Sequence, residues 1–181
     1  MLERKNYKIN SQIDFGGETI NGQGVGKISF CRYGFFSAGY NACEMIAIYN
    51  LLLRSGYEGH AFADICLEMY PKTWAFWGIF GSNVYTLYLY FKNHGIPYRR
   101  YYKLESFQAA LEHTGCGMLS FWNADNPLKG IHTVCVEKTA DGYRVYNKRN
   151  RLTTPFDCKS FSEITIPRRF LSGFTIAKNN P

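Results

Sequence analysis

Apolar side chains recur with a helical period in the first half of the chain and at shorter spacings in the second. From Asn41 to Leu53 the apolar positions fall three and four residues apart, which is the stripe of an amphipathic helix. Arg54 and Gly56 supply C-terminal signals, so we predict a helix over residues 42–55. Three shorter helices are predicted downstream, over residues 60–69, 84–93 and 104–113.

Beyond residue 115 the pattern changes to short β-branched and aromatic runs that are separated by turn residues. Five strands are predicted there, over residues 118–122, 131–138, 143–147, 163–167 and 173–178. One more is predicted over residues 98–102. Because the helices come first and the strands follow, rather than alternating with them, the pattern indicates an α+β fold.

The first 38 residues have little periodicity. Several glycines interrupt any helical stripe, and residues 27–30 fit a short strand. The stretch from Gly16 to Gly26 lacks the spacing of a phosphate-binding loop, so we predict a flexible loop. We predict one domain over residues 1–181, made of a Gly-rich N-terminal arm (1–38), a helical lobe (39–115) and a β lobe (116–181).

Composition and charge limit the class of protein. The 181 residues are 46% hydrophobic and 17% aromatic, which suits a single folded core and excludes a disordered chain. The net charge is +7, but the basic residues are scattered in short clusters, so we do not expect nucleic acid as a partner. A basic nucleic-acid binder remains an alternative, with aromatic residues 74–77 and 85–91 as stacking faces. We expect no signal peptide, no membrane span and a cytoplasmic location.

The cysteine pattern favours reduced thiols. No two of the six cysteines form a C-x-x-C pair, so we expect no zinc site and no disulfide framework, and no other metal or cofactor is indicated. Most of these thiols should be core residues, because free cysteine is one of the most buried residue types. The six are Cys31, Cys43, Cys66, Cys116, Cys135 and Cys158.

Cys43 is the candidate nucleophile. Asn41 is predicted to be the N-cap of the helix and Glu44 the carboxylate of a capping box, which puts Cys43 in the first helical turn. Unpaired amides and the helix dipole favour the thiolate there. The prediction requires Glu44 to stay at the cap, because a carboxylate turned toward the sulfur would raise the pKa of the thiol. The alternative is a small hydrophobic residue that happens to begin a helix.

His132 is the candidate acid–base residue among four histidines, because it lies where a strand emerges from a loop. The other three are expected at the surface. A period of two puts His132 on the same face as Val134 and Val136. The alternative is a hydrogen-bonded core histidine.

Asn147 is the candidate partner of His132. Residues 139–142 predict a hairpin, and if Lys138 pairs with Tyr143 then Asn147 lies diagonal to His132, within reach of a side-chain hydrogen bond. A loop that differs by one residue would favour Asn150 instead.

Three segments together carry a family resemblance: GYNACEMIAIYNLL (39–52), GIHTVCV (130–136) and GYRVYN (142–147). They resemble the papain-like cysteine peptidases, and among these the bacterial peptidases that remove double-glycine leaders from bacteriocins. The likeness covers about residues 37–150, and residues 81–84 resemble the turn that opens a later helix of that family. It implies a papain-like fold, with the nucleophile helix in an N-terminal helical lobe and an antiparallel β-sheet after it.

The resemblance implies a catalytic triad. Cys43 would attack a peptide or amide carbonyl to form a thioester, His132 would move the proton, and Asn147 would hold the imidazole. The backbone amide of Cys43 would supply half of the oxyanion hole. A peptide or leader peptide is the implied substrate.

The sequence departs from this family at three positions. The Gln that usually stands six residues before the nucleophile is Ser37 here, and Asn41 or Gln23 are candidates to replace it as the oxyanion donor. The residue after the nucleophile is commonly Gly and is Glu44 here. The usual orienting Asp is Asn147. A weak or inactive papain-like binding protein is therefore the alternative function.

Overall fold

The computed structural model describes residues 2–73 and 83–179. The aromatic run at 74–77 and the first half of the turn at 81–84 lie outside the described residues. None of the helices in the described ranges has the length and apolar character that crossing a bilayer requires. The α-helices are α1 (Leu2–Asn10), α2 (Ala38–Asn41), α3 (Cys43–Arg54), α4 (Phe62–Thr73), α5 (Tyr88–Asn93) and α6 (Leu104–Thr114).

The sheet confirms the α+β prediction. Six antiparallel strands lie in the order β3-β8-β4-β5-β6-β7, and a separate hairpin joins β1 to β2. The strands are β1 (Arg32–Tyr33), β2 (Phe36–Ser37), β3 (Tyr98–Tyr101), β4 (Cys116–Trp122), β5 (Ile131–Thr139), β6 (Gly142–Tyr146), β7 (Phe156–Cys158) and β8 (Phe170–Ile176).

Helices cover the two faces of the sheet. Cys135 of β5 belongs to a buried cluster with Met45 of α3, whereas Val134 and Val136 belong to a second cluster with Leu111 of α6. This division follows from the period of two, since successive side chains of a strand point to opposite faces. Strand β5 is thus enclosed by α3 on one side and α6 on the other.

Several predicted elements are confirmed and two strands are wrong. Helix α3 occupies the predicted segment, and Lys138 pairs with Tyr143 as the hairpin signal indicates. Residues 27–30 form a 3₁₀ helix instead of a strand. Residues 163–167 are not a strand either, because Ser160 and Glu163 form a capping box around a 3₁₀ turn and Pro167 begins another.

Helix α1 is a correction to the predicted N-terminal arm of turns and strands. Its buried residues are Asn6 and Asn10, so the segment lacks the apolar stripe that indicates an amphipathic helix. Asn10 accepts a hydrogen bond from the backbone nitrogen of Arg32 (2.8 Å) and donates one to the Arg32 carbonyl (2.9 Å). Polar side chains therefore fasten this helix to β1.

The arm continues across α3 toward the sheet. Asn50 of α3 is fully buried and makes two bonds of 2.8 Å with the backbone of Ile20, one as acceptor and one as donor. This contact brings residues 20–24 next to the end of β6, where the predicted site residues lie.

Candidate active site

Cys43 is the first residue of α3, but the predicted capping box is absent from its N-terminus. The N-cap is Ala42, and Asn41 is the last residue of the short helix α2. With its amide nitrogen turned toward acceptors, Asn41 donates to the carbonyls of Tyr33 (3.1 Å) and Ser37 (3.3 Å). The prediction of an Asn41 cap is therefore wrong, because α2 absorbs this residue into the preceding turn.

Glu44 lies against the sulfur and not at a cap, which corrects the second part of that prediction. The Cys43 Sγ donates to Glu44 Oε2 at 3.2 Å, and the two residues are 5% and 1% exposed. Burial raises the pKa of the Cys43 thiol well above its ordinary value, and the negative charge of Glu44 raises it further. Backbone hydrogen bonds from Thr133 and Glu44 act in the opposite direction. The sulfur therefore keeps its proton at neutral pH.

The sulfur of Cys43 lies near the part of β5 that is not paired with β6. The backbone hydrogen bonds at the two ends of the β4–β5 pairing involve Gly130 and Lys138. The backbone groups of even-numbered β5 residues therefore bond to β4, and those of odd-numbered residues are directed toward β6. Pairing with β6 stops at Cys135 and Tyr146, which leaves the backbone of Thr133 free on that side. This backbone acts on the Cys43 thiol and lowers its pKa.

His132, the residue before Thr133, is held by a main-chain carbonyl. Its Nε2 lies 2.7 Å from the oxygen of Asn147, and the residue is 7% exposed. Because a carbonyl can only accept, Nε2 must carry the proton, and Nδ1 of the neutral ring keeps its lone pair. Burial lowers the pKa of His132 to about 4, even though the bond to Asn147 raises it, so the ring is neutral near pH 7.

The imidazole stands on the sheet face that carries Val134 and Val136. Phe121 is directly opposite on β4, and the two rings are perpendicular with centroids 6.0 Å apart. Lys148 packs its Nζ 4.7 Å from the centre of the Phe121 ring and donates to the carbonyl of Ile164 at 2.6 Å. The charge of Lys148 also helps to lower the pKa of His132.

Asn147 holds His132 through its backbone, so the predicted contact between the two side chains is wrong. The residue has a φ of 60°, in the left-handed region that Asn tolerates better than most residues, and this turn ends β6. Its Oδ1 accepts from the Gln23 nitrogen (3.1 Å), and its Nδ2 donates to Gln23 Oε1 (2.8 Å). Its own nitrogen donates to Asn21 Oδ1 at 2.8 Å. The alternative, Asn150, is exposed and accepts through its carbonyl from Gly24.

Of the three oxyanion candidates, Gln23 lies in this network. Its Nε2 donates to the carbonyl of Gly39 at 3.0 Å, four residues before the nucleophile. Its second amide hydrogen makes no hydrogen bond within residues 2–73 and 83–179. Asn41 is committed to two carbonyls, and Ser37 is half-buried in β2.

No family model matches this chain, and a search of curated proteins finds no significant relative.

The described residues thus bring four of the predicted site residues to the start of β5, although not all of them touch. Gln23 bonds to Asn147 and Asn147 to His132, and the Thr133 backbone acts on the pKa of Cys43. Within the described part of the chain, no hydrogen bond joins the sulfur directly to the imidazole. Across residues 2–73 and 83–179, no group of three His, Cys, Asp or Glu side chains is arranged to hold a metal ion.

Two contacts of this site had no signal in the sequence. Thr133 acts through its backbone, which every residue type except proline offers, and Asn21 lies far away in the arm. The sequence could have indicated Thr133 only through a prediction of where the pairing between β5 and β6 ends.

Proposed function

We propose that this protein is a cysteine-dependent amide hydrolase, a peptidase of papain-like fold in which Cys43 forms a thioester with a peptide or leader-peptide substrate. The observation that supports it best is the packing of α3, which begins at Cys43, against β5, where the Thr133 backbone helps to lower the pKa of the thiol. Thr133 is the strand residue that follows His132. Thiol-based acyl transfer needs a thiol and an imidazole within hydrogen-bond reach of each other. His132 points to the sheet face opposite α3, so the proposed reaction requires the imidazole and the sulfur to approach each other at the end of β5 where pairing with β6 has stopped.

In the proposed reaction the thiol turns from Glu44 to Nδ1 of His132, which is the ring nitrogen that can accept a proton. The sulfur attacks the carbonyl carbon, and the thiol proton passes to Nδ1 and then to the leaving amine as the C–N bond breaks. Water then hydrolyses the thioester. The carbonyl of Asn147 keeps the ring in the required tautomer and stabilises the imidazolium while it exists.

Gln23 fits the role of second oxyanion donor beside the Cys43 amide. Its amide is buried, is fixed at both ends by Gly39 and Asn147, and keeps one hydrogen without a partner in the described residues. A donor fixed in advance stabilises a developing oxyanion without reorganisation during the reaction.

A second candidate function is a papain-like binding protein with little or no turnover. One observation favours it: the thiol is nearly enclosed and donates to a carboxylate, which opposes the thiolate needed for attack. In this case the same surface would bind a peptide without cleaving it.

The test is to incubate the protein with a pool of unstructured peptides, including ones with a double-glycine motif, and to analyse acid-quenched samples by mass spectrometry. For a hydrolase we expect cleaved peptides and an acyl group on Cys43. Cys43→Ala should abolish both, whereas the matched variant Cys66→Ala, which removes a buried thiol of α4, should retain both. Peptide binding without cleavage would favour the second candidate, and cleavage that survives Cys43→Ala would contradict the proposal.

A further inference from the structure

Glu44 has a contact that the proposed reaction does not use. It follows the nucleophile on α3, and its Oε2 accepts from the Cys43 sulfur at 3.2 Å. An ionised carboxylate can only accept, so the hydrogen of the thiol lies between sulfur and oxygen. Both residues are buried, and water therefore screens this contact only weakly.

The structure holds the thiol proton toward Glu44 Oε2, whereas the proposed reaction requires this proton to pass to His132 Nδ1. Ionising the sulfur in this position would put a thiolate directly against a carboxylate. Two like charges in contact in a site of low dielectric disfavour each other strongly. The bond to Glu44 and the attack by Cys43 therefore exclude each other.

Few ionisable groups bear on this sulfur in the described part of the chain. Glu44 acts from α3, and His132 lies on β5 beside the Thr133 backbone. Lys148, beyond Asn147, acts on the imidazole. The imidazole is neutral near pH 7, so His132 adds no positive charge beside the sulfur, whereas the charge of Glu44 raises the pKa of the thiol.

We propose that Glu44 is a positioning residue that holds Cys43 as a thiol in the resting protein, so that the nucleophile ionises only when this carboxylate leaves the sulfur or loses its charge. The inference rests on the proposed role of Cys43 as the nucleophile. In this inference Glu44, the residue after the nucleophile, limits the reactivity of Cys43.

The test measures the rate at which iodoacetamide alkylates Cys43 as a function of pH, by peptide mapping, in the unmodified protein and in Glu44→Gln. We expect faster labelling of Cys43 in Glu44→Gln at neutral pH, by about tenfold for each unit by which the thiol pKa falls, and a rate profile displaced to lower pH. Glu105→Gln removes one negative charge from an exposed position on α6, and we expect its profile to match that of the unmodified protein.

Equal or slower labelling in a folded Glu44→Gln protein would overturn the inference. If near-ultraviolet circular dichroism shows that this variant is unfolded, Glu44→Asp takes its place, since the shorter side chain withdraws the charge from the sulfur. Labelling of Glu44→Asp at the original rate would equally overturn it. The measurement needs no substrate, so its result is independent of the peptide-cleavage test of the proposed function.

Discussion

The Nε2 nitrogen of His132 lies 2.7 Å from the main-chain oxygen of Asn147, so a backbone carbonyl holds this imidazole. The side chain of Asn147 is turned the other way and forms two hydrogen bonds with Gln23. The backbone and the side chain of Asn147 therefore have separate roles: the carbonyl orients the His132 ring, and the side chain binds Gln23 of the N-terminal arm.

Asn147→Gly is expected to separate these two parts. Glycine adopts a positive φ without strain and keeps the carbonyl, so the imidazole should remain in its Nε2–H form. The buried amide of Gln23 loses partners, which should lower the free energy of unfolding by about 1–3 kcal/mol. Nitrogen chemical shifts of the imidazole and urea-induced unfolding measure the two effects.

Asn150→Gly is the matched control for this substitution, because Asn150 is exposed in the same loop. Its unfolding free energy should change much less than that of Asn147→Gly. A change of tautomer at His132 in Asn147→Gly would show that the side chain, and not the carbonyl, governs the ring.

The depressed pKa of His132 predicts a loss of stability in acid. The folded protein binds this proton with a pKa of about 4 and the unfolded chain with one near 6.5, so the unfolded state holds more protons between these values. The stabilisation is complete above about pH 6.5 and is lost as the pH falls toward about 4, with a total of about 3 kcal/mol.

Urea unfolding over this pH range, compared with His132→Gln, measures this contribution. The variant lacks the titrating ring, so its free energy of unfolding should fall less steeply with decreasing pH. His113→Gln, at the exposed end of α6, should keep the full slope. Parallel curves for the unmodified protein and His132→Gln would mean that the imidazole is protonated as readily in the fold as outside it.

Gln23→Met should impair turnover through the loss of an oxyanion donor. If the proposed chemistry holds, kcat should fall by about 100- to 1000-fold with little change in KM, because the donor acts on the transition state. Ser37→Ala changes the position six residues before the nucleophile and should leave kcat nearly unchanged. Steady-state cleavage of a peptide identified in the pool gives both constants. Similar kcat values for a folded Gln23→Met protein and Ser37→Ala would assign the donor elsewhere.

Local sequence signals predicted the helix that begins at the nucleophile and the register of the hairpin near His132. Helix α3 has a regular apolar stripe and a C-terminal signal, and the β5–β6 turn has strong turn residues. The same signals missed α1, since its inward contacts are made by asparagines. They also assigned a strand to residues 163–167, where a capping box and a proline form 3₁₀ turns instead.

The amino-acid sequence by itself determined the α+β arrangement, the place of Cys43 at a helix start and the place of His132 at a strand start, because periodicity and turn chemistry act over a few residues. Tertiary structure alone decided where the polar groups of these residues point. Glu44 faces the sulfur instead of a cap, and Asn147 offers His132 its carbonyl instead of its amide. Such choices depend on which partners burial brings together from distant parts of the chain, and no local pattern encodes them.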